Sequence, residues 1–268
     1  MLNNQLSLSK KSIEEGIVIL INKEKNWTSF DVVKKIKNLI RAKFDLKKIK
    51  VGHAGTLDPL ATGLLIICTG KYTKKISKIQ DLQKTYTGEI TLGAKTPSFD
   101  LETEIDEKFD LSGITHEMIH KVSKSFIGDI LQKPPLFSAI KIKGERLYKK
   151  ARRGEKVKVK ERKVTVNNFE INNINLPKFE FIIKCSKGTY IRSIANDFGL
   201  KLKNGGFLSS LKREKIGDYN LKDSLTITQF EKNLTSDGES SSPQGPRDST
   251  AWIGITFIST IFLRIPVI

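Results

Sequence analysis

The segment VGHAGTLDPLATGLL, residues 51–65, carries one histidine and one aspartate among glycines, leucines and a proline. The proline after Asp58 restricts the aspartate backbone to extended or turn conformations, which predicts a fixed loop. A carboxylate held rigidly among apolar residues suits nucleophilic or general-base catalysis if a cation keeps it ionised, and Arg192 is a candidate for that cation. The alternative is an Asx turn, in which the carboxylate only bonds nearby amides. On this segment alone, the Asx turn is favoured.

Two further segments, KTYTG (residues 84–88) and SKGTYIRS (residues 186–193), each place a tyrosine beside a glycine and a cation. Such a tyrosine can be a stacking platform for a nucleobase. It can equally be an ordinary strand tyrosine with its hydroxyl in water. If the second segment is extended, Arg192 points to the same side as Tyr190, two residues earlier.

A third motif, His116-Glu117-Met118-Ile119-His120, matches the H-E-x-x-H pattern in which two helical histidines hold zinc. A catalytic zinc needs a third protein ligand, and the one remaining histidine of the sequence is His53. The segment also fits a metal-free amphipathic helix with both histidines in solvent. Zinc hydrolysis is therefore kept only as the alternative enzyme class.

The chain of 268 residues has a formal net charge of +18 and a pI near 9.7. A surplus of this size indicates a polyanionic partner, with nucleic acid first and an anionic membrane second, because contacted phosphates release condensed counterions. A lysine-rich proteome is the alternative explanation. Cys68 and Cys185 lie in apolar runs, which predicts buried, reduced thiols and a cytoplasmic protein.

Hydrophobic patterning predicts a mixed-sheet α/β or α+β domain over residues 16–234. Residues 1–15 are predicted as a flexible polar arm, and residues 235–268 as a linker-like and hydrophobic tail of unknown role. Apolar or alternating runs predict strands at GIVILI, LLIICTG, TYTGEITLG and FEFIIKC, and a strand, a turn and a strand at KVKVKERKVTVNNFEI. Helices are predicted behind a Thr28–Asp31 capping box, at THEMIHKVSKSFIG and at IRSIANDFGLKL.

Several of these segments together resemble the TruB family of tRNA pseudouridine synthases. The family signature G-H-x-G-x-L-D-P-x-A-x-G-x-L is matched within residues 52–74, and the other family blocks follow in order. These blocks are KTYTG, PPLFSAIK, GERLYKKAR, CSKGTYIRSIANDFG and LKR. Phe137 stands where tyrosine is frequent in the family, and no PUA domain is apparent after residue 235. The resemblance spans about residues 16–219.

The resemblance implies a pseudouridine synthase fold, with a mixed, largely antiparallel sheet flanked by helices and an active-site cleft across it. It implies isomerisation of uridine 55 in the TΨC arm of tRNA, without a cofactor or a metal. The sequence does not fix the oligomeric state, and a monomer is the default expectation. Asp58 matches the essential aspartate, Tyr86 the tyrosine that stacks on the base, and Arg192 the partner of the aspartate. Four further positions match substrate-binding residues: His53, Lys74, Tyr190 and Leu211. An RNA-binding module without chemistry is the alternative from another class.

Overall fold

The computed structural model describes residues 9–142, 144–155 and 157–236. The hydrophobic tail predicted over residues 235–268 lies outside this range, except for the two residues that end the last helix. The longer strands are β1 (Val18–Lys23), β3 (Thr62–Thr69), β4 (Lys84–Leu92), β7 (Gly128–Gln132), β10 (Arg162–Asn175), β11 (Lys178–Cys185) and β12 (Gly206–Ile216). The short strands are β2 (Val51–His53), β5 (Ala94–Lys95), β6 (Glu107–Lys108), β8 (Lys141–Ile142), β9 (Glu145–Arg146) and β13 (Tyr219–Asn220).

The α-helices of the described residues are α1 (Lys10–Glu15), α2 (Ser29–Phe44), α3 (Ile76–Asp81), α4 (His116–Lys124), α5 (Leu147–Arg152), α6 (Ile191–Lys201) and α7 (Ile227–Ser236). Two 3-10 helices cover Gly70–Lys75 and Leu221–Asp223. Helix α2 begins at the predicted capping box, where Thr28 and Asp31 exchange two hydrogen bonds of 3.0 Å between side chain and backbone.

A nine-stranded sheet organises the molecule, and its main path runs β1-β3-β12-β4-β11-β10-β7. Strand β2 extends the pairing of β3, and β13 pairs with β12. The β3–β12 pair is parallel and every other pair along this path is antiparallel. The sheet is therefore mixed and largely antiparallel, as the family resemblance implies.

Helices cover the sheet over two main apolar clusters. Helices α4 and α6 pack on β10 and β12 through a cluster whose centre is aromatic, with the rings of Phe179 and Phe198 4.8 Å apart. Helices α1, α2 and α7 pack on β1 and β3 through a second, largely aliphatic cluster. Strand β3 is buried on both faces, because Leu65 and Ile67 enter the second cluster while Leu64 and Ile66 point away from it.

The structure differs from the sequence prediction at two places. The flexible arm predicted over residues 1–15 contains helix α1, because Ile13 is fully buried in the second cluster and Ser9 caps the helix start with Ser12. The strand, turn and strand predicted at KVKVKERKVTVNNFEI is one strand, β10, which begins at Arg162. The buried and free state predicted for Cys68 and Cys185 is confirmed. No helix within the described residues is both long enough and apolar enough to cross a bilayer.

Candidate active site

Arg213 of β12 fixes the start of the loop that carries Asp58. Its guanidinium is almost fully buried and donates hydrogen bonds to the carbonyl oxygens of Gly55 (2.9 Å) and Leu64 (2.8 Å). Strand β3 can approach Arg213 because residue 63 is glycine. Gly63 has a φ of +100°, and a Cβ there would lie 2.5 Å from the Arg213 carbonyl oxygen.

Ser29 and Lys23 hold the rest of the loop. The hydroxyl of Ser29 accepts a hydrogen bond from Leu57 N–H (2.8 Å) and donates one to the Leu57 carbonyl oxygen (3.0 Å). The fully buried amino group of Lys23 donates to the carbonyl oxygens of Trp27 (2.7 Å) and Pro59 (3.3 Å). Residues 55–59 are thus held in place by hydrogen bonds from three different elements.

Asp58 directs its carboxylate to Arg192 at the start of α6. Arg192 Nη2 lies 2.9 Å from Asp58 Oδ2, with the arginine side chain 3% exposed and the aspartate side chain 38% exposed. The carboxylate is therefore held by a guanidinium and remains accessible. This geometry matches the predicted pairing of Asp58 with Arg192 and differs from a simple Asx turn, in which the carboxylate only bonds nearby amides.

A second carboxylate, that of Asp100, shares Arg192. Arg192 Nε lies 3.5 Å from Asp100 Oδ2, which is an ion-pair distance without a hydrogen bond. Arg192 also donates to the carbonyl oxygens of Ser98 (3.2 Å) and Phe137 (2.9 Å). Burial raises the pKa of the Asp100 carboxyl, and the charge of Arg192 opposes this rise. Arg192 is thus fixed by four groups in an almost dry position.

The two predicted tyrosines line the same cavity as Asp58. Tyr86 lies on β4 and is 9% exposed, and burial raises the pKa of its hydroxyl against the opposing charge of Arg213. Tyr190 is the N-cap residue of α6 and has an extended backbone, whereas Arg192 already lies in the helix, so residues 190–192 are not one extended segment. Both backbone polar groups of Tyr190 bond the side-chain amide of Gln132, at 2.7 and 3.0 Å.

The cavity has a volume of about 630 Å³, within the range of about 300–1,000 Å³ that is typical of small-ligand sites. Its wall includes Asp58, Tyr86, Tyr190, Arg192 and Leu211, which are five of the seven residues predicted for the site. The structure therefore brings these five residues together around one cavity. Basic side chains complete the wall, namely Lys84, Arg162, Lys163, Lys187 and Arg213.

His53 and Lys74, the other two predicted residues, do not line this cavity. His53 ends β2, two residues before the cavity wall begins at Gly55, and burial lowers the pKa of its imidazole. Lys74 is exposed on the 3-10 helix after β3 and lines a different hollow. The structure therefore places Lys74 away from this cavity, because β3 runs about 23 Å from its start near the Asp58 loop to its end before this helix, at about 3.3 Å per residue.

The H-E-x-x-H segment forms helix α4, with both His116 and His120 exposed and Ile119 fully buried. Among the described residues, no group of three or more His, Cys, Asp or Glu side chains is arranged to hold a metal ion. The helix packs against the sheet through its apolar side.

Four residues of the site were missed by sequence reasoning: Lys23, Ser29, Asp100 and Arg213. The signal for Lys23 was a lysine at an inward position of the alternating strand VILINK. Arg213 stood in the family block LKR, of which only Leu211 was assigned to the pocket. Ser29 and Asp100 carry no comparable signal, because their partners lie 28 and 92 residues away in the chain.

Replacing Lys23 by methionine tests the loop anchor. We expect the free energy of unfolding to fall by about 1–3 kcal/mol, because buried carbonyl oxygens lose their donor. The matched control is Lys35→Met, which removes an exposed pair with Glu231 at 3.2 Å and is expected to cost about 1 kcal/mol or less. Urea unfolding measures both variants. Equal effects would contradict the anchoring role.

The stability difference between the native protein and the same variant should depend on pH. Burial lowers the pKa of Lys23 from 10.5 to about 8. Between these values the unfolded chain binds this proton and the folded protein does not, so the stability of the native protein rises with pH. The stability difference between the native protein and Lys23→Met should therefore grow from pH 8 towards pH 10. A constant difference over that range would contradict the burial of a titrating amino group.

Comparison with solved structures gives the class of fold. A chain of a Cbf5-Nop10-Gar1 complex matches with a TM-score of 0.62 and 26% identity, over 83% of this chain and 55% of that chain. A chain of the archaeal box H/ACA sRNP Nop10-Cbf5 complex matches with a TM-score of 0.63 at 23% identity, over 88% and 58%. This chain thus spans little more than half the length of those solved chains. The fold is that of the pseudouridine synthases.

Sequence comparison then gives the family. The model of the TruB family pseudouridylate synthase, N-terminal domain, matches residues 41–191. The chain is 55% identical to tRNA pseudouridine synthase B of Flavobacterium johnsoniae, over 82% of this chain and 96% of the relative. It is 48% identical to the protein of the same name from Phocaeicola vulgatus, over 82% and 93%. The protein belongs to the TruB family of pseudouridylate synthases.

Proposed function

We propose that the protein isomerises uridine to pseudouridine at position 55, in the TΨC arm of tRNA. The observation that carries this proposal is the accessible Asp58 carboxylate paired with buried Arg192 in a cavity that two tyrosines line. The relatives named tRNA pseudouridine synthase B support tRNA as the substrate.

The reaction exchanges two bonds within one nucleotide. The bond between uracil N1 and ribose C1′ breaks, the base turns, and C5 bonds to C1′. C5 loses a proton and N1 gains one, so the product is an isomer of the substrate and no electrons leave or enter. The chain's own acid–base groups therefore suffice for the reaction in this proposal.

Entry of the uridine requires it to leave its stack in the folded RNA arm, and an aromatic side chain can replace the lost stacking. Tyr86 and Tyr190 supply rings in the wall of the cavity. Apolar neighbours such as Leu211 reduce access of water, which keeps the detached uracil in the site. His53, which precedes the cavity wall, is proposed to contact the flipped nucleotide.

Asp58 acts on the ribose in this proposal, either as a nucleophile at C1′ or as a base that removes the 2′ proton. Arg192 pairs with the carboxylate and orients it in either case. We further propose residues 16–234 as the catalytic domain, a monomeric state and a cytoplasmic location for the protein.

The direct test of the proposed function uses the purified chain and an unmodified tRNA transcript. Pseudouridine is located by sequence-resolved chemical probing, with a transcript that has cytidine at position 55 as the control. We expect modification at position 55 of the first transcript and none in the control. Modification at another uridine, or none at all, would overturn the proposal.

We further propose that the Tyr86 hydroxyl helps to remove the C5 proton. Replacing Tyr86 by phenylalanine separates this proton transfer from stacking. The ring remains, so tRNA binding should stay unchanged, while loss of the hydroxyl should slow isomerisation by about 100-fold, the effect of a lost acid–base group. Single-turnover rates and binding constants for tRNA are measured side by side. The matched control is Tyr219→Phe, because Tyr219 is also 9% exposed and lies on β13 outside the cavity wall. An equal loss of binding and turnover would contradict a proton-transfer role.

A further inference from the structure

A second concave surface, here called the basic hollow, has a volume of about 720 Å³. Its wall combines the C-terminal half of α2, the segment that leads into β2, the 3-10 helix after β3 and one residue of α1. Seven basic residues line it: Lys37, Arg41, Lys47, Lys48, Lys50, Lys71 and Lys74. Glu14 is the one acidic residue among the described residues of its wall.

The frame that carries these charges is fixed. Gly70 N–H donates to the carbonyl oxygen of Lys50 (2.9 Å), which joins the 3-10 helix to the segment before β2. Arg41 Nε donates to the carbonyl oxygen of Leu46 (3.1 Å), and Leu46 is buried in the second apolar cluster. The basic hollow is therefore a surface of defined shape, and its lysines do not lie on a segment without fixed structure.

The charges of the hollow are not neutralised by the protein. In the part of the chain that the structure describes, none of the seven cations forms an ion pair with a carboxylate. Surface lysines elsewhere, such as Lys163 with Asp129 and Lys187 with Asp81, do form such pairs. A concave surface rich in donors and poor in acceptors is complementary to a chain of phosphates.

The chemistry of the wall favours nucleic acid over a membrane or a peptide. Ile49 is the large apolar side chain of the wall, and it is half-buried. A membrane-binding surface pairs its cations with exposed apolar residues that enter the acyl boundary. Folded RNA needs only phosphate contacts from such a surface, and Lys and Arg supply them.

Position relative to Asp58 then defines which part of the RNA is bound. The Asp58 loop lies at the start of β3, where Gly63 pairs with Arg213. The basic hollow lies past the other end of β3, where Gly70 forms part of its wall. We propose that the basic hollow binds the phosphate backbone of the RNA substrate about 20 Å from the reacting nucleotide, a distance set by the length of β3. This inference rests on the proposed function, because it takes the same RNA as the ligand.

The test replaces three exposed lysines of the segment before β2, in the variant Lys47→Gln/Lys48→Gln/Lys50→Gln of the full chain. Binding of unmodified tRNA transcript is measured at several salt concentrations, together with the isomerisation rate at saturating tRNA. We expect the affinity at low salt to fall by about tenfold or more, and the slope of log K against log salt to decrease by about 2–3, because each phosphate contact contributes about 0.7–0.9. The rate at saturating tRNA should remain unchanged.

The control variant is Lys121→Gln/Lys124→Gln/Lys222→Gln, which removes the same charge from exposed lysines of α4 and the Leu221–Asp223 helix. Identical affinity and slope in the two variants would overturn the inference. Unchanged tRNA affinity with lost binding to anionic phospholipid vesicles would overturn it in favour of a membrane surface. If the native chain binds tRNA with the full slope but forms no pseudouridine, the proposed function fails. In that case, a reduced salt-dependence slope in the test variant would still support RNA binding by the basic hollow.

Discussion

Asp58→Asn is expected to abolish pseudouridine formation while tRNA binding is retained. The amide keeps the size of the side chain and its neighbours, but it can neither attack C1′ nor accept the 2′ proton. Loss of a catalytic carboxylate costs on the order of 10⁴-fold or more in rate. Single-turnover assays with saturating tRNA measure the rate, and binding is measured separately with the same transcript.

The matched control for this variant is Asp81→Asn. Asp81 lines the same cavity, but its carboxylate is 59% exposed and bonds Lys187 at 2.7 Å. We expect this control to retain nearly all activity. Isomerisation that survives Asp58→Asn would refute the catalytic role of Asp58. Tight tRNA binding by a native chain without any isomerisation would instead support an RNA-binding module.

Arg192→Met is expected to produce the largest loss of stability. Removing one partner of a buried ion pair typically costs about 3–5 kcal/mol, because the remaining charge stays buried without compensation. Here the remaining buried charge is Asp100, whose side chain is 8% exposed. Isomerisation should also be lost, because Asp58 no longer has the cation that orients it. Arg153→Met is the control, since it removes an exposed arginine that pairs with Glu145 and should leave the free energy of unfolding nearly unchanged.

Adding Asp100→Asn to Arg192→Met separates the two effects. The second change removes the uncompensated carboxylate, so part of the stability should return while isomerisation stays absent. Burial already raises the pKa of Asp100, and loss of Arg192 raises it further. A carboxyl group whose pKa is raised in the folded state stabilises the folded protein at low pH. The loss in free energy of unfolding caused by Arg192→Met should therefore shrink as the pH falls. A deficit that is independent of pH and of Asp100 would contradict the shared ion pair.

The elements that sequence patterns predict well are those with strong local signals. The Thr28–Asp31 capping box marks the start of α2, because both hydrogen bonds join residues three apart. The alternation in TYTGEITLG predicts β4, which lies at the middle of the sheet and buries its inward positions. Local periodicity suffices where one face of an element is buried.

Other elements depend on partners that local sequence does not reveal. Residues 157–160 alternate lysine and valine, yet β10 begins only at Arg162, which pairs with the last residue of β7, Gln132. A strand needs a neighbour to satisfy its backbone, and alternation cannot show where the neighbour ends. Likewise, the polar stretch around Ile13 forms a helix because a single isoleucine reaches the core.

Prediction of the site residues divides in the same way, between those with a local sequence motif and those defined by long-range contacts. Family motifs identify Asp58, Tyr86 and Arg192, which the cavity brings together. Arg213 is recognised as an anchor only when the structure places its guanidinium beside the carbonyl oxygens of residues 55 and 64. Such contacts join residues about 150 positions apart, and no spacing rule in the sequence predicts them.

The most direct measurement is a structure of the Asp58→Asn variant bound to unmodified tRNA. The proposed mechanism predicts an everted uridine 55 with its base against Tyr86 and its ribose C1′ or C2′ about 3–3.5 Å from the side chain of residue 58, the separation of reacting atoms. A uridine that stays stacked in its loop, or a ribose far from residue 58, would contradict it.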